Sequence, residues 1–184
     1  MLRPLAEGAV EGLIDQSTQD LLLLGVNLFY MVGRHVEPIV RATRDRGVLA
    51  QVYMVDDESP VGKSFYGDGA LRDLLRGSKA QTFARLEKTK ADLEAISKAL
   101  AEAGKSSRLE AWLYEYVSLY SVVAIDVGTD AGRLLVSPHT YMEEAKYPPV
   151  LELSRTDSPE LYEAYWRDIE HFTRRVEKRP LLFV

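Results

Sequence analysis

The chain has 184 residues, a length typical of one domain, and its 46% hydrophobic and 28% charged residues are the balance of a globular protein. It contains no cysteine, which excludes disulfides, thiolate metal sites and a cysteine nucleophile. The net charge of −5 argues against non-specific nucleic-acid binding, which depends on clustered positive charge.

The predicted elements alternate between helices and strands in the first part of the chain. An amphipathic helix over 5–17 precedes the apolar run 21–26, which indicates a strand buried on both faces. A helix over 36–46, ended by Gly47, leads to a second strand over 49–55. The order strand, helix, strand predicts a crossover connection and a parallel pair of strands.

The middle of the chain is mostly helical and the rest is rich in strands. After a loop over 56–69 we predict a short helix over 70–75 and a long one over 81–103, capped by Gly104. The later predicted elements are strands over 109–114, 119–125, 132–136 and 150–153, a hairpin turn over 126–130, and a helix from Ser158 and Pro159 to about 177. The predicted core residues of the two long helices are Phe83, Leu86, Leu93, Ile96 and Leu100, then Leu161, Tyr165, Ile169, Phe172 and Val176. We therefore expect one α/β domain over 1–184, with an N-terminal helix in 1–19 and a core over 20–177.

Two further patterns bear on location and partners. The apolar runs 21–26 and 122–125 are too short to span a bilayer, and the residues after Met1 lack the features of a signal peptide. We expect a cytoplasmic protein with no membrane contact. The one basic cluster comprises Arg174, Arg175, Lys178 and Arg179, with Glu170 and Glu177 among them. We interpret it as a solvated helix end, and we expect no direct nucleic-acid binding.

A resemblance to a known family begins in the stretch 119–126, which follows the long helix and leads, after one more strand, to the turn Ser137–Tyr141. This order is similar to one repeat of the phospholipase D superfamily, whose corresponding strand carries His-x-Lys-x4-Asp. Asp126 keeps the aspartate position, whereas Leu119 stands at the histidine position and Ser121 at the lysine position. The resemblance implies a mixed β-sheet flanked by helices.

The chain resembles still more a degenerate bacterial branch of that superfamily, a domain of unknown function often attached to helix-turn-helix regulators. The stretches that carry this resemblance are 24–29, 56–60, 137–141, 149–153 and 161–172. The resemblance covers about 20–177 and implies a regulatory role. Residues 1–19 are too short to hold the helix-turn-helix segment of that branch.

Phospholipase D chemistry needs paired histidines and phosphate-binding lysines. None of His35, His139 and His171 has a lysine two residues later, so we expect this chemistry to be absent. His139 lies just after a predicted strand. It is either a hydrogen-bonded loop histidine or a group that lines a pocket and acts as a general base. We interpret the other two histidines as structural or surface residues.

Three carboxylates, Asp56, Asp57 and Glu58, follow a buried strand directly, at the edge where open α/β sheets bind ligands. They could hold a divalent cation or a cationic ligand, or they could serve turn formation and cap a short helix. Ten tyrosines offer a second signal, four of them around the degenerate motif: Tyr114, Tyr116, Tyr120 and Tyr141. Such side chains stack on a base or sugar, or they pack in a core or a dimer interface.

We therefore expect a non-catalytic phospholipase D-like domain that binds a small ligand or a partner protein, forms a homodimer and uses no cofactor. The predicted ligand-binding residues are Asn27, Asp56, Glu58, Tyr120, His139 and Tyr141. One alternative is a metal-assisted phosphohydrolase in which Asp56 and Glu58 hold the ion and His139 is the base. The other is a purely structural interaction domain with the tyrosines as its contact surface.

Overall fold

The structure is a computed structural model that describes residues 3–4, 8–26, 28–66, 79–138 and 149–181. Its helices are α1 (Ala9–Gln16), α2 (Phe29–Val32), α3 (Val36–Arg46), α4 (Pro60–Tyr66), α5 (Lys79–Glu102) and α6 (Pro159–Arg175). Its strands are β1 (Arg3–Pro4), β2 (Asp20–Leu24), β3 (Leu49–Val55), β4 (Leu109–Tyr114), β5 (Tyr120–Ile125), β6 (Arg133–Pro138), β7 (Pro149–Ser154) and β8 (Lys178–Pro180). The predicted α/β class, a mixed sheet with flanking helices, is confirmed.

In the described residues, eight strands form one sheet in the order β1-β7-β6-β5-β2-β3-β4-β8. The pairs β2–β3 and β3–β4 are parallel and the other adjacent pairs are antiparallel, so the predicted parallel pair is confirmed. β2 is central, and its four leucines are at most 3% exposed. This burial agrees with an apolar run that is covered on both faces of the sheet.

The two crossover helices, α3 and α5, pack against each other, as expected for two successive crossovers on one face. α6 covers the face of the sheet that carries Tyr114 and Tyr120. The ring centroid of Phe172 lies 4.8 Å from that of Tyr114, and the ring centroid of Tyr165 lies 6.1 Å from that of Tyr120. We call this surface of the sheet the α6 face.

The predicted helix faces are largely correct, with an exception near the start of each long helix. Leu86, Leu93, Ile96, Leu100 and Ile169 are buried. Phe83 is 40% exposed and Leu161 is 45% exposed, so their prediction as core residues is wrong. A period of 3.6 residues identifies the apolar side of a helix, but it does not show where the packed layer beneath that side ends.

Two strands at the sheet edges were not predicted. β1 pairs with β7, and β8 pairs with β4, so Lys178 and Arg179 belong to a strand and not to a solvated helix end. Both strands are too short to show alternation, and both carry proline and basic residues, which are common on edges. The helix predicted over 70–75 lies outside the described residues. No helix in the described part of the chain is both long and apolar enough to cross a membrane.

Candidate functional site

The three predicted carboxylates, Asp56, Asp57 and Glu58, which we call the acidic loop, lie at the carboxyl ends of β3 and β4, beside the last strand, β8. Asp56 follows β3 directly, and its backbone N–H donates to the carbonyl oxygen of Tyr114 at the end of β4, over 2.8 Å. The side chain of Asp56 is buried, with the residue only 5% exposed. A carboxylate at this depth requires a strong partner, because water cannot solvate it.

Arg179 of β8 is that partner, and it binds two members of the acidic loop. Its Nε lies 2.6 Å from Oδ2 of Asp56, and its Nη2 lies 2.8 Å from Oδ1. The same Nη2 lies 3.1 Å from Oε2 of Glu58. Bidentate pairs of this kind are among the stronger hydrogen-bonded contacts in proteins. The hydrogen bond from Arg179 lowers the pKa of Asp56 below its usual value, against the burial that raises it.

The acidic loop also forms the turn that the sequence predicted as one of its roles. Oδ1 of Asp56 accepts the backbone N–H of Glu58 over 3.0 Å. The hydroxyl of Ser59 donates to the carbonyl oxygen of Asp56 over 2.8 Å and accepts the backbone N–H of Gly62 over 2.9 Å. The hydroxyl of Ser59 therefore caps the start of α4, so Asp56 forms a turn as one reading expected, but none of the three carboxylates makes the helix cap.

The third carboxylate, Asp57, is paired as well. Nζ of Lys90 in α5 lies 3.0 Å from each carboxylate oxygen of Asp57 and 3.1 Å from Oε1 of Glu87. Within the described ranges, no group of three or more His, Asp or Glu side chains has the geometry to hold a metal ion. The acidic loop thus holds cations of this chain, a guanidinium and an ammonium.

Tyr120 lies on the other face of the sheet from this cluster. Lys178 is opposite Tyr114 in the β4–β8 pair, so the next residue, Arg179, projects from the face opposite the α6 face. The hydroxyl of Tyr120 instead donates to the carboxylate of Asp168 in α6. Burial is the main cause that raises the pKa of Tyr120, and the hydrogen bond to Asp168 raises it further. The structure therefore places the side chains of Tyr120 and Asp56 on different faces of the sheet and does not bring them into contact.

The three positions that resemble the phospholipase D motif have different surroundings. Leu119, at the histidine position, is 73% exposed. Ser121, at the lysine position, lies against Gly25, where an added Cβ would be 2.8 Å from the serine hydroxyl. Asp126 is buried and accepts hydrogen bonds from the backbone N–H groups of Thr18 and Gln19. Leu119 has no group that could attack phosphorus, and Ser121 carries no positive charge that could bind a phosphate.

The remaining predicted site residues have different fates. Asn27, His139 and Tyr141 lie outside the described residues, so the predicted pocket as a set of six stays a prediction. Nδ1 of His35 lies 2.8 Å from the carbonyl oxygen of Met31, a local contact that fits a structural role. His171 is exposed on α6, as predicted for a surface residue.

The sequence reasoning missed the cations of this site. Arg179 was assigned to a solvated helix end and Lys90 was given no role, yet both neutralise the acidic loop. A signal was available, because adjacent carboxylates behind a buried strand require positive partners. The sequence offers many candidates for that role, however, and only the strand pairing of β8 selects Arg179.

A separate depression of about 600 Å³ lies at the other end of the strands, beside the end of β5 and the start of β6. Its lining includes Gln16, Asp126, Arg133, Glu152 and Ser158. Nη1 of Arg133 lies 2.6 Å from Oε1 of Gln16, and its Nη2 is also paired with Glu152. Of the predicted ligand-binding residues that the structure describes, namely Asp56, Glu58 and Tyr120, none contributes to this depression.

The comparisons with known proteins concern the fold. No family model matches the chain, and no curated protein matches it. Among solved structures, the chain is similar to TrmBL2, whose structure is described as that of an archaeal chromatin protein with a novel mode of DNA binding. The TM-score is 0.52 at 11% identity, over 97% of this chain and 53% of that one. This chain therefore spans about half the length of TrmBL2.

This similarity corrects the expectation about nucleic acid. We expected no direct nucleic-acid binding on the basis of net charge and of a basic cluster assigned to a helix end. The fold now found for nearly the whole chain also occurs in a DNA-binding chromatin protein, which contradicts that expectation. The assignment of the basic cluster also fails, since part of it lies in β8. At 11% identity the similarity itself shows a shared fold.

Proposed function

We propose that this chain is a non-catalytic, phospholipase D-like regulatory domain that binds a ligand or a partner protein. The loop between β4 and β5 carries the proposal, because it exposes large apolar side chains beside the strand ends. Leu119 is 73% exposed and Tyr116 is 55% exposed. Large apolar surfaces at such a place offer contact area to a bound molecule.

The paired state of the acidic loop favours binding over metal-assisted hydrolysis. A metal ion at Asp56 and Glu58 would have to displace Arg179 from a bidentate contact. It would also leave that guanidinium without its present partner, at a cost in stability. The phosphohydrolase hypothesis therefore requires Arg179 to leave Asp56, whereas binding at the loop between β4 and β5 does not require that contact to break.

A thermal-shift experiment tests the proposal. The purified chain is heated with nucleotides, sugars, sugar phosphates and amino acids, each as a separate class. A ligand at a hundred times its Kd stabilises a protein by about 2.7 kcal/mol, which corresponds to a rise in Tm of roughly 5–10 °C at this size. We expect such a rise with one class, and we expect its loss in the Tyr116→Ser, Leu119→Ser double variant.

Leu161→Ser is the matched control, because Leu161 is also exposed but lies at the start of α6. It should leave the ligand-induced rise unchanged. A parallel assay measures hydrolysis of bis(p-nitrophenyl) phosphate with Mg²⁺, Mn²⁺ or Zn²⁺. Turnover that disappears in Glu58→Gln would contradict the non-catalytic assignment and favour the phosphohydrolase.

Direct nucleic-acid binding is a second candidate function, supported by the DNA-binding fold neighbour and by one surface of this chain. Tyr30 in α2 is 50% exposed, and the guanidinium carbons of Arg34 and Arg85 lie 5.1 and 5.4 Å from its ring centroid. Arginine beside an exposed aromatic ring is a combination that binds single strands, through phosphate contacts and base stacking.

Fluorescence anisotropy with a labelled 30-nucleotide single strand and a matching duplex tests this candidate. We expect binding that weakens about tenfold between 50 and 200 mM salt, the change for about two phosphate contacts. Arg34→Ala should weaken binding, and the control Arg174→Ala should not, because Arg174 is paired with Glu170 on α6. Binding that is insensitive to salt and to Arg34→Ala would contradict this candidate.

A further inference from the structure

The segment 176–181, which we call the C-terminal strap, is attached to the sheet by a very short strand. α6 ends at Arg175, and Val176 is extended. β8 has three residues and forms an edge of the sheet beside β4. The backbone N–H of Leu181 adds one hydrogen bond to the carbonyl oxygen of Ala111, over 2.8 Å. Because the backbone pairing is so short, side-chain contacts must hold much of the strap to the sheet.

On the α6 face, the strap inserts a cation between two aromatic rings. Nζ of Lys178 lies 4.9 Å from the ring centroid of Trp112 and 5.1 Å from that of Tyr53. It also donates to the carbonyl oxygen of Thr173 over 2.6 Å. Rings from two neighbouring strands thus form a site for an ammonium group, as cation–π geometry requires. Burial lowers the pKa of Lys178, so its positive charge is held there against a desolvation penalty.

On the opposite face, the strap places its next residue on the acidic loop. Arg179 makes the bidentate contact with Asp56 and the further contact with Glu58. The side chain of Asp56 is 7% exposed, whereas that of Arg179 is 47% exposed. The carboxylate of Asp56, which receives the contact, is thus buried, while the guanidinium of Arg179 is about half exposed to solvent.

Lys178 and Arg179 of β8 therefore contact groups on both faces of the sheet, on either side of β4. The groups that receive them come from β3, β4 and the loop after β3: Tyr53, Trp112, Asp56 and Glu58. Together with the edge of β4 that β8 occupies, these groups select an extended segment with two consecutive cationic side chains. This is recognition by strand addition, in which backbone pairing gives affinity and side-chain sites give specificity.

We propose that the edge of β4 is a docking site for an extended basic segment of a partner protein, and that the strap is its intramolecular occupant. This inference rests on the proposed binding function and names the class of partner. The net charge of −5 favours a basic partner over a second copy of this chain, which would carry the same negative charge.

A peptide in trans tests the proposal on the full chain. The probe is a fluorescein-labelled hexapeptide with the sequence of residues 176–181, and the receptor is either the wild-type chain or the Lys178→Ala, Arg179→Ala variant. We expect the variant to bind the peptide about tenfold more tightly, because the wild-type strap competes at an effective concentration in the millimolar range. A peptide with alanine at both basic positions should bind the variant about tenfold more weakly than the probe.

Controls separate this inference from the stability of the chain. If the double variant loses its cooperative thermal unfolding, Lys178→Ala alone replaces it, because it keeps the contact between Asp56 and Arg179. In the wild-type chain, the indole N–H signal of Trp112, assigned with Trp166→Phe, should shift as the peptide displaces Lys178.

Failure of the peptide to bind a folded variant would overturn the inference, as would equal binding of both peptides. Self-association of the wild type that disappears in the double variant would identify a second copy as the occupant and overturn the partner assignment. The thermal-shift experiment with small ligands does not depend on the strap. A negative peptide result would therefore overturn only this inference, and the thermal-shift experiment would still decide the proposed binding function.

Discussion

Asp126 follows β5 and turns its carboxylate back toward the segment that enters β2. It accepts the backbone N–H groups of Thr18, Gln19 and Asp20 at 2.7–3.3 Å and the hydroxyl of Thr18 at 3.0 Å. Its backbone has a φ of 51°, in the left-handed region that aspartate tolerates better than most residues. The side chain of Asp126 thus joins two central strands, β5 and β2.

We predict that Asp126→Asn destabilises the chain at neutral pH, whereas Asp20→Asn does not. Burial raises the pKa of Asp126, but the N–H and hydroxyl donors outweigh it and the net pKa is lowered. Loss of these charge-assisted bonds should cost about 2–3 kcal/mol. Burial and the nearby Asp126 raise the pKa of Asp20, so its neutral amide should be within about 0.5 kcal/mol of wild type or more stable. Urea unfolding at pH 7 measures both.

The pH dependence of these two variants follows from the directions of the pKa shifts. A lowered pKa means that Asp126 contributes fully above about pH 4 and loses its contribution as the pH falls through its folded-state pKa. A raised pKa means that the ionised form of Asp20 destabilises the folded chain and that this cost is lost as Asp20 protonates. Any gain in the free energy of unfolding from Asp20→Asn should therefore vanish in acid. Equal destabilisation by both substitutions at pH 7 would contradict this account.

Sequence reasoning at this scale identified residues but not their conformations. The turn over 126–130 was predicted, but not that its left-handed conformation falls on Asp126. The carboxylate compensates for that conformation with its hydrogen bonds to residues about a hundred positions away in the chain. Such compensation depends on which strands are neighbours, and no local pattern contains that information.

At the scale of elements, the turn from β3 into α4 depends on a close approach of two backbone segments. A Cβ added to Gly62 would overlap the carbonyl oxygen of Asp56. That carbonyl also accepts the hydroxyl of Ser59, so it is held in place. Gly62 is therefore required by space rather than by a positive φ.

We predict that Gly62→Ala destabilises the chain by about 2–4 kcal/mol, because the backbone of the acidic loop must move. Gly12→Ala is the matched control. Gly12 lies within α1 with no atom within 4 Å of its added Cβ, so alanine should stabilise by about 0.5–1 kcal/mol. Chemical denaturation of both variants tests the pair, and a neutral Gly62→Ala would disprove the steric argument.

Element prediction succeeded where burial shaped the sequence. β2, β3, β4, β5 and β6 follow apolar or alternating runs, because both faces of these strands are largely covered. β8 was not predicted, because Lys178, Arg179 and Pro180 make side-chain contacts and protect a sheet edge and are not buried apolar residues. Ser158 correctly marked the start of α6, although its hydroxyl donates to Ser154 in β7 and not into the helix.

At the scale of the whole molecule, the strand order predicts a gradient of local stability. β2 lies at the centre of the sheet, and β8 lies at an edge. Amides of β2 should exchange with solvent only through global unfolding, whereas those of Lys178 and Arg179 should exchange through smaller openings. Hydrogen–deuterium exchange under native conditions measures both. Equal protection of the two strands would contradict a displaceable strap.

The fold class could be predicted from the sequence, but the candidate site could be predicted only in part. The position of Asp56 and Glu58 at the strand ends follows from a buried strand and the carboxylates behind it. Their partner does not follow, because Arg179 comes from a strand more than a hundred residues later. The separation of Tyr120 from Asp56 also depends on register, since a shift by one residue exchanges the faces.

The central position of β2 has a consequence for the synthesis of this chain. β2 pairs with β3, which follows it soon, and with β5, where Leu21 lies opposite Ile125. Until residues 120–125 have left the ribosome, this strand of four leucines keeps one edge open. An open apolar edge is a template for pairing with other chains. We therefore expect nascent chains that end before residue 120 to be the species most prone to aggregation and most dependent on chaperones.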